Sequence, residues 1–497
     1  MKSNYFSHFV RVLIAVLLAG TALPGLSPGA NGQLSFVLTN RPPQTLPRRP
    51  SIILIVADGL GYGDLSCYGQ TKFQTPNLDR LAVEGIRFTG YYAGDAAGSP
   101  SRAALMLGRD SGHLRQRADA DIPLAPGETT VAQLLKQSGY HTGLIGEWNL
   151  GDDATGGAPW KKGFDEFAGY LDANDAANFY AAYMWRLNPN FSYDESYNDK
   201  INGHWREWNK ADGSPTPGKE MIYVNTQGKN QYIPDLLTKA ALSFIQINQP
   251  DQFNHYRPFF LLLNYNVPGA GNGPVPTDAP YSDEPWPQAQ KNKAAMIARL
   301  DGYLGQLLDQ LQQSGLTNDT VVFFTSDTGP DKDGGVDPKF FQSAGPYHGG
   351  RGELYEGGLR VPMIVHWPGT IPAGQVSDVP WAAWDFLPTA AGIALTQSPT
   401  NIDGISVLPE LRGQSRPHPR FFHWELRGRE LAQAARRGDW KVVRSKADAP
   451  WELYNLKTDP GETQNVADKN PDVIKLFEAI LKDDHESEHS IPPQAVK

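Results

Sequence analysis

The chain has one cysteine, Cys67, in 497 residues. An intramolecular disulfide is excluded, so the fold must hold through its core alone. Cys67 sits in "GDLSCYGQ" and reads as a packed, inert thiol. Positive charge is also short: 45 Lys and Arg stand against 54 Asp and Glu, a formal net charge of −9. That argues against nucleic acid or an anionic membrane surface as a general partner. Long apolar runs are missing beyond the first residues, so no later segment reaches the roughly 20 residues a membrane span needs.

The N-terminus differs from the rest. Lys2, His8 and Arg11 precede the apolar run "VLIAVLLAGTA" at 12–22. A basic start, a short apolar run and small residues predict a signal peptide over 1–22, and hence a periplasmic or secreted protein. Cleavage fits after Ala22 or Ala30. Residues 23–49 read as a Pro- and Arg-rich linker.

From residue 50 strand and helix alternate. "SIILIVADG" predicts a parallel strand buried on both faces. "TPNLDRLAVEGI" predicts a helix with Thr75 as N-cap, Pro76 in its first turn and Gly85 after its end. Further strands are expected at 258–266, 320–327 and 361–369, and a long amphipathic helix at 290–314. This grammar predicts an α/β domain over 50–415, with a mostly parallel sheet between helices. Short strands and a closing helix near 470–483 predict a smaller α+β subdomain with an antiparallel sheet over 416–497.

In open α/β sheets, sites form outside the carboxyl ends of the strands. Asp58 and Asp327 both follow apolar strands. They read either as ligands for a hard divalent cation or as caps of the next element. The aromatic stretch at 178–198 reads either as a sugar-stacking surface or as packing.

The blocks "VADGLGYGDLSCYGQ", "TPNLDRLAVEGIRFT", "SPSRAALMLGR", "GLIGEWNLG", "TSDTGP", "LYEGGLRVPMIVHWPG", "DFLPT" and "LYNLKTDPGETQNVA" follow one another between residues 50 and 468. In this order they resemble the sulfatases, the arylsulfatase-like branch of the alkaline phosphatase superfamily. The resemblance implies that fold, and a nucleophile made by oxidising the Cys or Ser that opens C/S-x-P-S-R to formylglycine. Here that position is Gly98, so formylglycine is not expected; Ser99 is one place off.

The resemblance also implies a calcium site of two acidic pairs. Their counterparts are Asp58-Gly59 and Asp327-Thr328, so calcium is expected to bind weakly or not at all. The sulfate-gripping Lys is Glu147, the His beside the nucleophile is Asn149, and a later His is Gly269. A further Lys is Arg351, still cationic, and Arg102 is retained. Of ten implied positions only Asp58, Arg102 and Asp327 match.

Three readings follow. One is an exported, catalytically degenerate sulfatase homologue that binds a sulfated or neutral glycan, or another protein, through the old cleft. A second is an active arylsulfatase using Ser99. A third is a different hydrolase, which needs Asp58, Asp95, Glu147, Asp175 and Asp327 to converge.

Overall fold

The computed structural model describes residues 48–484, except 119–121, 153, 182, 188–204, 210–214, 224–230, 251–256, 270–274 and 415–419. The expected signal peptide and most of the linker lie outside the described residues. The described residues, from Arg48 onward, fall in one compact unit. Among the described residues, no helix is long and apolar enough to cross a membrane.

In chain order the strands are β1 (Ser51–Asp58), β2 (Ile86–Phe88), β3 (Tyr91–Tyr92), β4 (His141–Glu147), β5 (Glu166–Tyr170), β6 (Tyr183–Leu187), β7 (Trp205–Asn209), β8 (Pro215–Tyr223), β9 (Phe259–Pro268), β10 (Thr320–Ser326), β11 (Met363–His366), β12 (Gln375–Ser377), β13 (Trp381–Ala382), β14 (Phe421–Arg427), β15 (Leu431–Arg437), β16 (Trp440–Arg444) and β17 (Glu452–Asn455). Eleven of them, among the described residues, form one sheet in the order β12-β2-β11-β10-β1-β9-β4-β5-β6-β8-β7. The five strands β10-β1-β9-β4-β5 at its centre run parallel. β3 pairs with β13 in a small ribbon, and β14 to β17 form the separate antiparallel sheet expected near the C-terminus.

The continuous apolar run of β1 is explained by its two buried faces. Ile52, Leu54 and Val56 join one core, and Ile53, Ile55 and Ala57 join the other. Phe260 and Leu262 of β9 divide from Phe259, Leu261 and Leu263 in the same way. The expected amphipathic helix covers the second face as Gln288–Gln313, burying Met296, Leu300, Leu304, Leu307, Leu308 and Leu311. On the first face lie the helices Gly98–Leu107, Val131–Gln137 and Phe386–Ile393.

Three expectations need correction. The strand placed at 361–369 is the four-residue β11, and it runs antiparallel to β10. Beyond β5 the sheet continues through β6, β8 and β7, all antiparallel, where the sequence pattern had given no strands. Thr75 does precede the helix Pro76–Glu84, but its side chain makes no capping bond. It meets the Ser66 hydroxyl at 2.8 Å instead.

Candidate functional site

The parallel strands end together, and their carboxyl ends carry the predicted residues. Asp58 closes β1, Asp327 follows β10, Glu147 closes β4 and Gly269 follows β9. The Asp327 N–H donates to the Ala57 carbonyl at 2.9 Å, which ties the two central strand ends. The helix Gly98–Leu107 begins over this edge and brings Arg102 in from its second turn.

Arg102 is buried between two carboxylates. Its Nη1 lies 2.9 Å from Asp327 Oδ2 and its Nη2 lies 2.6 Å from Glu147 Oε1. Arg351 makes a second bridge: its Nη1 is 2.8 Å from Asp58 Oδ1 and 3.1 Å from Asp331 Oδ2. Four carboxylates therefore share two guanidiniums. Burial raises Glu147 to about 7; Arg102 opposes the rise, and Asp58 and Asp327 add to it. Burial, then the neighbouring Asp58, raises Asp327 to about 6 against the pull of Arg102.

Two glycines make room for this arrangement. A Cβ at Gly98 would stand 3.0 Å from Arg102 Nη2 and 3.2 Å from Asp327 Oδ2. A Cβ at Gly269 would stand only 2.3 Å from Asp58 Oδ2. Where the resemblance implies a nucleophile and a histidine, the structure thus places a guanidinium and a carboxylate. Ser99 and Asn149 face each other, with the Asn149 Nδ2 donating to Ser99 Oγ at 2.7 Å. An amide has no basic lone pair to take the hydroxyl proton, so this contact does not activate the serine. Asn149 has φ +54°, a left-handed backbone that Asn tolerates better than most residues.

Asp95 and Asp175 do not complete an acidic cluster. Asp95 is buried just before the helix, and its Oδ1 accepts from the Ala96 N–H at 2.7 Å. Asp175 lies in the short helix Ala173–Ala176. Among the described residues, the three-residue group whose potential ligand atoms converge within 4.8 Å is Asp110, His113 and Asp403. It lies just beyond the far end of Gly98–Leu107, not at the strand ends. His113 Nδ1 there is 3.0 Å from Asp403 Oδ2.

Of the 178–198 stretch, Phe179, Met184 and Trp185 are buried and pack; residues 188–198 lie outside the described residues. Burial and the neighbouring Asp79 raise the Cys67 thiol well above its ordinary value, which keeps it protonated.

Sequence reasoning missed Asp331 and one wall of the cleft. A cavity of about 650 Å³ lies between the start of the helix Gly98–Leu107 and the β14–β15 turn. Lys332, Arg351, Arg427, Arg429 and Lys446 line it, against Asp331 and Glu430. The "RGR" at 427–429 was a visible signal, but nothing in the sequence set that turn beside Arg351.

Known proteins share this organisation. The Sulfatase family model matches residues 50–396, and the model for the N-sulphoglucosamine sulphohydrolase C-terminal region matches 350–486. N-acetylgalactosamine-6-O-sulfatase of Bacteroides thetaiotaomicron is 29% identical over 88% of this chain and 93% of its own length. The human N-acetylgalactosamine-6-sulfatase is 30% identical, over 85% and 76% respectively. The crystal structure of Ps i-CgsB in complex with k-i-k-neocarrahexaose superposes with a TM-score of 0.70 at 28% identity, covering 89% of this chain and 96% of that one. The chain belongs to the sulfatase family.

Proposed function

We propose that this is an exported sulfatase-family protein that has lost sulfate-ester hydrolysis and binds an anionic glycan in its cleft. The observation that carries the loss is the Arg102–Glu147 pair at 2.6 Å. It fills the space beside Gly98, where no side chain can attack sulfur. Loss of a nucleophile alone costs orders of magnitude in rate.

The cleft supports the second part. Besides Arg351, which Asp58 and Asp331 hold, four cationic side chains, Lys332, Arg427, Arg429 and Lys446, line it with Glu430 in a chain whose net charge is −9. A local positive field of that kind attracts sulfate or carboxylate groups. Relatives named for sulfated N-acetylgalactosamine and a neighbour holding neocarrahexaose are consistent with a glycan.

Two measurements test this on the mature chain. Turnover of 4-nitrophenyl sulfate with calcium should be absent; turnover abolished by Ser99→Ala overturns the loss. Titration calorimetry with chondroitin sulfate should show binding that weakens with salt and falls about tenfold in Arg427→Ala/Arg429→Ala. No binding at low salt overturns the glycan reading.

A further inference from the structure

The sulfatase family implies a calcium ion at the strand ends, and the donor set here does not fit one. Calcium takes roughly six to eight oxygens at about 2.3–2.6 Å. Asp58 Oδ1 is engaged by Arg351 and Asp327 Oδ2 by Arg102. Asp327 Oδ1 accepts from the Gly59 N–H at 3.1 Å and faces Thr328 Oγ1 at 3.4 Å. Thr328 Oγ1 also donates to the Gly329 carbonyl at 3.2 Å.

The two substituted positions do not compensate. Gly59 brings no side-chain ligand, and its φ of +65° is a left-handed backbone that favours glycine. A Cβ there would also meet Asp331 Cβ at 3.3 Å. A dication using these oxygens would have to displace Arg102 from buried Asp327 and Arg351 from half-buried Asp58.

We infer that Arg102 and Arg351 stand in for the dication: the chain neutralises its own strand-end carboxylates, and the site takes no calcium. Each arginine bridges separate elements, as a central ion would. Arg102 joins the helix Gly98–Leu107 to the ends of β4 and β10, and Arg351 joins its loop to the end of β1 and to the loop after β10. The site is thereby complete without a cofactor, so its stability is set at folding and not by the calcium supply.

The test uses the full mature chain and calcium chloride alone. Calcium per chain is measured by mass spectrometry after dialysis against the ion, and the unfolding midpoint is read with excess calcium and with EDTA. The expected result is well below one calcium per chain and midpoints agreeing within about 1 °C. Near-stoichiometric calcium and a midpoint that drops in EDTA overturn the inference.

Arg351→Ala gives a second reading, because it uncovers Asp58. Its midpoint should fall and recover in part with calcium, while Arg351→Lys stays near wild type. An Arg351→Ala midpoint equal to wild type overturns the assignment. Glycan titration of the wild type is read separately, so the binding reading and calcium exclusion fail independently.

Discussion

Arg102 and Glu147 form an ion pair at 2.6 Å with each side chain only 6% exposed. The two partners are not equivalent. Removing the guanidinium leaves Glu147 and Asp327 buried without their cation. Arg102→Met should therefore lose about 3–5 kcal/mol of stability. Burial raises the Glu147 carboxyl, so its charged form already carries a penalty, and a Gln oxygen can still accept from Arg102; Glu147→Gln should cost clearly less than Arg102→Met. Urea unfolding of both variants checks the asymmetry; equal losses would contradict it.

Restoring the nucleophile position alone should fail. In Gly98→Cys the new Cβ crowds Arg102 Nη2 and Asp327 Oδ2. The expected cost is about 1–3 kcal/mol. Co-expression with a formylglycine-generating enzyme should still give no turnover of 4-nitrophenyl sulfate, because Glu147, Asn149 and the engaged Arg351 remain. Thermal unfolding and a chromogenic assay on the same preparation decide this.

The C-terminal sheet is docked by a buried cation. Lys441 Nζ lies 3.0 Å from Glu356 Oε1 and 2.9 Å from Glu462 Oε1, with all three side chains fully buried. Lys441→Met leaves Glu462 buried without its cation, while Glu356 keeps Arg360 Nη1 at 3.2 Å, and should cost about 3–5 kcal/mol. The double variant Lys441→Met/Glu462→Gln, which leaves Glu356 to Arg360, should recover a large part of that, which equilibrium denaturation can resolve.

Acid should loosen the same sheet through Glu425. Burial pushes this carboxyl up, but His423, Arg117 and Gln433 more than offset it and hold Glu425 at about 2, below its ordinary 4.5. A depressed carboxyl contributes stability above its unfolded value and loses it as pH falls through the folded one. Unfolding free energy should drop between about pH 4.5 and 2, by on the order of 2 kcal/mol from this group. Glu425→Gln should flatten that limb; an unchanged slope would assign the acid sensitivity elsewhere.

How much was legible in the sequence varied by residue. β1 and β10 were readable because strands buried on both faces must be apolar throughout. The direction of β11 was not, since four residues carry no orientation signal. At the site, ordered family blocks located Gly98, Glu147, Asn149, Gly269 and Arg351 by position. Their mutual pairing was hidden.

Glu147 stands where the resemblance implies a sulfate-gripping Lys, yet it is paired with Arg102. Arg351 keeps the cationic charge implied there, and that charge holds Asp58 and Asp331. Asp331 was invisible because its role depends on a loop approaching from elsewhere in the chain.

The two glycines tie the substituted positions to one another. Asp58 Oδ2 sits where a side chain at Gly269 would begin, so a histidine at 269 fits only if that carboxylate shifts. Asp58 moves only if Arg351 lets go of it. A single reversion therefore meets a neighbour already settled in its place. The network is interlocked, so a side chain at position 269 calls for changes at its neighbours as well.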